Sequence, residues 1–180
     1  MVELIFRIAN EKNPKIEAHS RRVSLLCQRT GIAMGLIEAE ICKLKISGML
    51  HDIGKIAIDN SILDKPEKLN GHEWDEIKRH SYIGYRILNN VPGMNEIAEY
   101  VLYHHERLDG TGYPIGLKQG EIPLLSRIIA VTDAYDAMTS ERQYKAVLNK
   151  NAAVGELVKH KGTQFDPDIV DIFIEKVLNK

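Results

Sequence analysis

The 180-residue sequence predicts an all-α fold, and three observations carry that expectation. Apolar residues recur at helical spacing along most of the chain. No alternating apolar and polar run extends beyond a few residues, so strands are not expected. Asp166-Pro167 places a capping carboxylate before a proline at the first helical position, which is a helix start.

The elements follow in order. Val23, Leu26, Cys27 and Thr30 form one stripe, and Ile37, Ile41, Leu44 and Gly48 a second that runs into His51. A third helix is expected over 73–89 with Trp74, Ile77, Ile83 and Ile87 inward, and a fourth over 95–106, where Ile97 and Val101 lead to His104 and His105. Leu125, Ile128, Ile129 and Thr132 mark a helix over 124–138, a short one is expected over 151–160, and the last runs from Asp166 to about residue 178. Residues 55–71 and 107–123 are expected to be the chief irregular segments. The length suits one compact core, and no repeat or linker divides it. Residues 1–12 are expected to form an N-terminal connecting segment, of the kind that joins a sensor, and 13–180 the domain proper.

Composition excludes some functions. Lys and Arg number 24 against 25 Asp and Glu, so the basic surface of a general nucleic-acid binder is absent. No stretch approaches the roughly 18 apolar residues of a membrane span, and a cytoplasmic protein is expected. Cys27 and Cys42 sit at helical positions that look core-facing, as small hydrophobes of a reducing compartment.

The seven histidines carry the chemistry. His72 and His160 lie in polar stretches and are expected at the surface. His19, His51, His80, His104 and His105 stand with core residues instead. Asp52 adjoins His51, and Asp133 interrupts the apolar run IIAVTDAYDAM. A lone carboxylate on a core face is costly unless paired or bound to metal. Imidazoles and carboxylates together suit iron, manganese, zinc or nickel. His19, His51, Asp52, His80, His104, His105 and Asp133 are too many ligands for one ion that keeps an open position. Two ions about 3.5–4 Å apart, bridged by Asp52, would use them all.

With HDIGK at 51–55, the later His80, HHERLDGTGYP at 104–114 and the aspartate of VTDAYDAM, the sequence resembles the HD-GYP family of metal-dependent cyclic di-GMP phosphodiesterases, a branch of the HD phosphohydrolases. AHSRRV, the run IPLLSRIIAVTDAYDAMTSERQYK and GTQFDPDIV extend the likeness over nearly the whole chain. The resemblance implies an HD-domain helical bundle with an inserted GYP loop. It implies a first metal held by His19, His51, Asp52 and Asp133, and a second held by Asp52, His80, His104 and His105, with iron or manganese as the ions. Where some members carry a glutamate for a third metal this chain has Lys15, and Glu17 is wrongly spaced, so a dinuclear centre is expected.

Lys55, Arg142 and Lys145 match family positions that contact the substrate's phosphates, and Asp52, Lys55 and Asp136 are expected in catalysis. Asp136 is placed either to orient a bound water or a ligand histidine, or to pair with Arg142. Asp109, Gly110, Gly112, Tyr113 and Pro114 form the GYP loop, either as a turn alone or as the rim of the site and a docking surface for diguanylate cyclase (GGDEF) domains. The expected reaction is hydrolysis of cyclic di-GMP to pGpG, with GMP as a further product, by attack of a hydroxide bridging the two ions. The competing expectations are an HD hydrolase of another nucleotide and a catalytically weak sensor or partner-docking module.

Overall fold

The computed structural model describes residues 2–11, 13–140 and 147–179. Arg142 and Lys145 lie outside the described residues. Among these residues the chain is helical, with no strand and only two isolated bridges, Asp109 to Lys118 and Lys161 to Phe165. The order is α1 (Val2–Asn10), α2 (Pro14–Ala33), α3 (Glu38–Leu50), a 3₁₀ turn (Ile53–Ala57), α4 (Asn60–Leu63), α5 (Gly71–Asn89), α6 (Asn95–Leu102), α7 (Leu124–Thr139), α8 (Lys150–Lys159) and α9 (Pro167–Ile172), which continues as π-helix over Phe173–Leu178.

Local chemistry sets the helix starts. Asn13 caps α2 by accepting from the Ile16 amide, with Pro14 next. Asn70 and Glu73 form a reciprocal capping box on α5, and Lys65 holds the Glu73 carboxylate at 2.6 Å. Asp166 caps α9 and is gripped from α7 by Arg127 at 2.5 Å.

Two apolar clusters flank the centre of the bundle. Val23, Cys27, Leu44, Ile128, Ile129 and Phe173 tie α2, α3, α7 and the C-terminal turns together. Phe6, Leu50, Ile53, Leu88, Ile97 and Val101 do the same for α1, α3, α5 and α6. Each fully buried side chain of this size contributes about 1.5–3 kcal/mol. The segment expected to connect is packed into the second cluster: Phe6 is buried beneath the Arg21 guanidinium, 4.9 Å from its ring centroid, and Glu3 binds Arg21 at 2.7 Å.

Several facing expectations need correction. Trp74 is 48% exposed, and the buried face of α5 is His80, Ser81, Gly84 and Leu88. Ile77, Ile83 and Ile87 are only half-buried flanks. Ile37 is exposed at the start of α3, and Cys42 is exposed, whereas Cys27 is buried. The helix expected to reach residue 106 ends at Leu102, which puts the paired histidines in the turn that follows. The irregular stretch 55–71 contains the end of the 3₁₀ turn and all of α4.

Candidate metal centre

Each histidine of the cluster is oriented by what its Nδ1 touches. His51, just past α3, has Nδ1 2.9 Å from the Gly48 carbonyl; His80, inside α5, lies 2.7 Å from that of Ile77; His104, past α6, lies 2.6 Å from that of Val101. A carbonyl only accepts, so each Nδ1–H donates and each Nε2 keeps its lone pair. His51 and His104 also satisfy carbonyls that a helix end leaves without partners. His19, one turn and more into α2, instead sets Nδ1 2.7 Å from Asp136 Oδ2.

The Nε2 atoms converge on two carboxylates. Asp52 stands between them: its Oδ2 lies 3.8 Å from His19 Nε2 and 3.5 Å from His51 Nε2, and its Oδ1 lies 3.6 Å from His80 Nε2. Asp133 Oδ1 is 3.0 Å from His19 Nε2 and 3.7 Å from His51 Nε2. His105 packs its ring against His80 and His104 at centroid distances of 5.0 and 3.9 Å. Three sets of donor atoms, those of His19, His51 and Asp133, of His80, His104 and His105, and of His51, Asp52 and His104, each lie within 4.8 Å of one another.

That arrangement fits divalent cations. The Nε2 of His51 is fully buried and makes no hydrogen bond, and the buried Nε2 of His19 has the Asp133 carboxylate at 3.0 Å in front of it. His80 Nε2 and His104 Nε2 face each other at 3.4 Å, both carrying lone pairs. Buried polar atoms are rarely left this way, and a cation between them satisfies all of them at once.

Charge states agree with ligation. Burial drives His80 down to about 4 and His105 down to about 3, and pushes His104 well below its ordinary range, so all three are neutral at pH 7. Burial acts upward on Asp52 and Asp133, yet both are held well below the usual carboxylate range, Asp52 by Lys55 and the histidines and Asp133 chiefly by His19 and His51. His19 is the exception. Burial disfavours its cation, but Asp133 and Asp136 outweigh that and raise it to about 9.

A consequence can be measured. Ligation needs the His19 Nε2 lone pair, so metal must displace a proton from this imidazole at neutral pH. Manganese affinity is therefore expected to tighten as pH rises from about 6.5 and to level off near 9, with about one proton released per chain at pH 7.5. In metal-free protein the sign is opposite for stability. The raised folded pKa makes the His19 contribution complete below its unfolded value and lost as pH rises through about 9. Calorimetry in two buffers of different ionisation enthalpy tests this, and a flat or falling affinity over that window would contradict it.

Around the cluster, Lys55 Nζ lies 2.7 Å from Asp52 Oδ2, with its ammonium partly open to solvent. Asp136, one turn beyond Asp133, is buried and accepts twice from Arg22, from Nε at 2.7 Å and from a terminal nitrogen at 2.9 Å, while also holding His19. Asp136 thus contacts His19 and, among the described residues, pairs with the guanidinium of Arg22. Spacing could have found Arg22, which stands one helical turn after His19 in AHSRRV.

The GYP loop folds on a residue that the motifs left unassigned. Glu106 is buried, and its carboxylate accepts from the amides of Ile115, Gly116 and Leu117 at 2.8–3.1 Å. Arg107, Asp109 and Thr111 interlock at the tip, and the Asp109 amide donates to the Thr163 carbonyl. At Gly112 a Cβ would sit 2.5 Å from the Arg107 amide nitrogen, so only glycine lets the loop return this closely. The loop delivers Tyr113, whose ring lies 4.8 Å from that of His105 and 6.4 Å from that of His80. Glu106→Gln turns one acceptor into a donor against three amides, and is expected to lower the melting temperature by roughly 5–10 °C. It should also expose amides 115–117 to hydrogen exchange; protection unchanged there would contradict this role for Glu106.

Comparison with known proteins places this geometry. The family model for the HD domain matches residues 3–169. The chain belongs to the HD domain family. It is 38% identical over 178 residues to the 3'3'-cGAMP-specific phosphodiesterase 2 of Vibrio cholerae, covering 96% of this chain and 34% of that protein. It is 38% identical over 177 residues to a cyclic di-GMP phosphodiesterase of Thermotoga maritima, covering 97% of this chain and 48% of that one. The chain therefore spans between a third and a half of the length of these relatives. Among solved structures, a cyclic GMP-AMP specific phosphodiesterase of V. cholerae superposes with a TM-score of 0.73 at 19% identity, over 99% of this chain and 49% of that one, which shows a shared HD-domain fold.

Proposed function

We propose that this HD domain is a metal-dependent phosphodiesterase that opens cyclic di-GMP to pGpG, with GMP following where the linear product is accepted. The observation that carries the reading is Asp52, whose two oxygens face separate histidine groups in a buried cluster of converging Nε2 atoms. The relatives named as cyclic di-GMP phosphodiesterases supply the substrate.

The residues divide the work. His19, His51, Asp133 and Asp52 would hold one ion, and His80, His104, His105 and Asp52 a second, with iron and manganese suited to the mixed imidazole and carboxylate set. Divalent ions held there acidify water and neutralise charge on the phosphate oxygens. Lys55 offers an ammonium beside Asp52 for a phosphate oxygen. Arg142 and Lys145 extend that grip in the same reading, on the strength of the family motif. Asp136 and Arg22 fix the His19 ring, and Tyr113 covers the His105 side. Lys15 stands at the position of the third-metal glutamate, and Glu17 is bound to Arg21 at 3.0 Å, in keeping with a dinuclear centre.

Ile115 in the GYP loop is exposed and supports docking of a diguanylate cyclase (GGDEF) domain. The longer relatives have room for a joined sensor domain. No helix among the described residues is long and apolar enough to cross a membrane, and the unpaired Cys27 and Cys42 suit a reducing cytoplasm. A second reading, the mixed dinucleotide 3'3'-cGAMP as substrate, is favoured by the relative named for it at the same 38% identity. The test is a product time course with both dinucleotides on anaerobically loaded protein. Appearance of pGpG supports the first reading, selective cleavage of cGAMP the second, and tight binding without product would replace both with a sensor.

A further inference from the structure

A cavity of about 420 Å³ opens between the α1–α2 junction and the segment from the 3₁₀ turn through α4. That volume falls within the range of about 300–1,000 Å³ typical of small-ligand sites. Asp52 and Lys55 belong both to its wall and to the histidine cluster, so a molecule with a phosphate at Lys55 has this space beside it. The rest of the lining suits a flat aromatic ring. Ile8, Ile16 and Ile56 give apolar walls, and Ile8 and Ile56 are exposed as though awaiting cover.

Polar groups among the lining residues differ in what they have left to offer. Asp59 caps α4 through Ser61, and Asn13 caps α2 through the Ile16 amide. In each, Oδ1 is engaged in holding the backbone. Asp52 faces Lys55 and the histidines, which leaves Glu11, just past the end of α1, as the lining carboxylate engaged in neither a helix cap nor the cluster among the described residues. A carboxylate is a two-oxygen acceptor, and guanine presents two adjacent donors on one edge, N1–H and the N2 amino group. Adenine presents a bare N1 there, which a carboxylate repels.

Resting on the phosphodiesterase reading above, we propose that this cavity seats a guanine base of the substrate, with Glu11 reading its N1–H and N2–H edge and Ile8, Ile16 and Ile56 enclosing its faces. The N-terminal helix is then a wall of the substrate site, and residues 1–12 belong functionally to the domain. Glu11 is a specificity residue rather than part of the hydrolytic centre.

The test uses the full chain loaded with manganese(II) and two probes, GMP and AMP, titrated calorimetrically into the parent and Glu11→Gln. The parent should bind GMP about tenfold more tightly than AMP, as expected for one bidentate base contact. In Glu11→Gln that preference should vanish, through weaker GMP binding and through AMP binding that holds or tightens once the carboxylate no longer opposes adenine N1. Glu11 is exposed and the replacement is isosteric, so folding is not at issue. A second variant, Ile56→Glu, should weaken both nucleotides by placing charge on the apolar wall. Equal binding of GMP and AMP by the parent, or a preference unchanged in Glu11→Gln, would overturn the base site. Cyclic di-GMP turnover on the same samples separates the two claims: no turnover with a Glu11-dependent GMP preference removes the hydrolytic reading and leaves the base site standing.

Discussion

Replacing Asp52 by asparagine is expected to abolish turnover and to strip the chain of most of its metal. The amide keeps the shape of the side chain but removes the negative charge and one acceptor oxygen. In the structure the two oxygens face different groups, Oδ2 toward His19 and His51 and Oδ1 toward His80. Loss of the group that faces both histidine sets should cost on the order of 10³-fold or more in kcat, beyond the effect of removing a single stabilising donor. The fold should survive, because the clusters on either side of the site do not depend on Asp52. The metal-free protein should melt at a lower temperature at neutral pH, because Lys55 and the histidines hold the Asp52 carboxylate well below its ordinary range and the amide removes the ion pair with Lys55. Metal analysis, turnover and a thermal melt on one preparation check the three parts together. Normal metal content with normal turnover would remove Asp52 from the centre.

Gly54→Ala is expected to damage the same site without touching a ligand. Gly54 lies in the 3₁₀ turn after His51, where it packs directly on α5. A Cβ there would stand 1.9 Å from the His80 carbonyl oxygen and 2.6 Å from the Gly84 nitrogen. Both obstacles are backbone, so no side-chain rotation relieves them, and α5 must move away carrying His80. We expect a destabilisation of roughly 3 kcal/mol or more, read as a melting temperature lower by about 6–12 °C. The group of His80, His104 and His105 should lose metal before the group of His19, His51 and Asp133. An alanine variant with parental stability and full metal content would show that the turn and α5 are less tightly coupled than this packing requires.

What the sequence revealed depends on which physical signal each residue leaves. The start of the last helix was legible at Asp166 because capping and proline chemistry are local, whereas α5, expected from 73, begins at Gly71 behind its Asn70 cap. The histidines stood out because imidazoles at 51, 80 and 104 occupied positions of core character, and burial is what the structure shows for them. Faces lined by small or polar groups were misread. On α5 Ile77, Ile83 and Ile87 are half-buried flanks, while the inward face is His80, Ser81, Gly84 and Leu88, three of them small or polar groups that periodicity of bulky side chains cannot detect. Trp74 was drawn inward by the same bias. The end of α6 was missed because His104 itself closes the helix on the Val101 carbonyl, a side-chain cap that no propensity scale contains. Arg22 and Glu106 act on partners far away in sequence, Asp136 at a separation of 114 residues and the loop amides at 9–11. Only the tertiary structure brings those partners together.

The central claim is that two groups of side chains sharing Asp52 hold two ions. The most direct measurement is anomalous diffraction from crystals of the protein loaded anaerobically with iron(II) or manganese(II). Two peaks about 3.5–4 Å apart, one among His19, His51 and Asp133 and the other among His80, His104 and His105, with Asp52 between them, are the predicted result. A single peak, or metal bound elsewhere while the cluster stays empty in protein that turns over substrate, would contradict it.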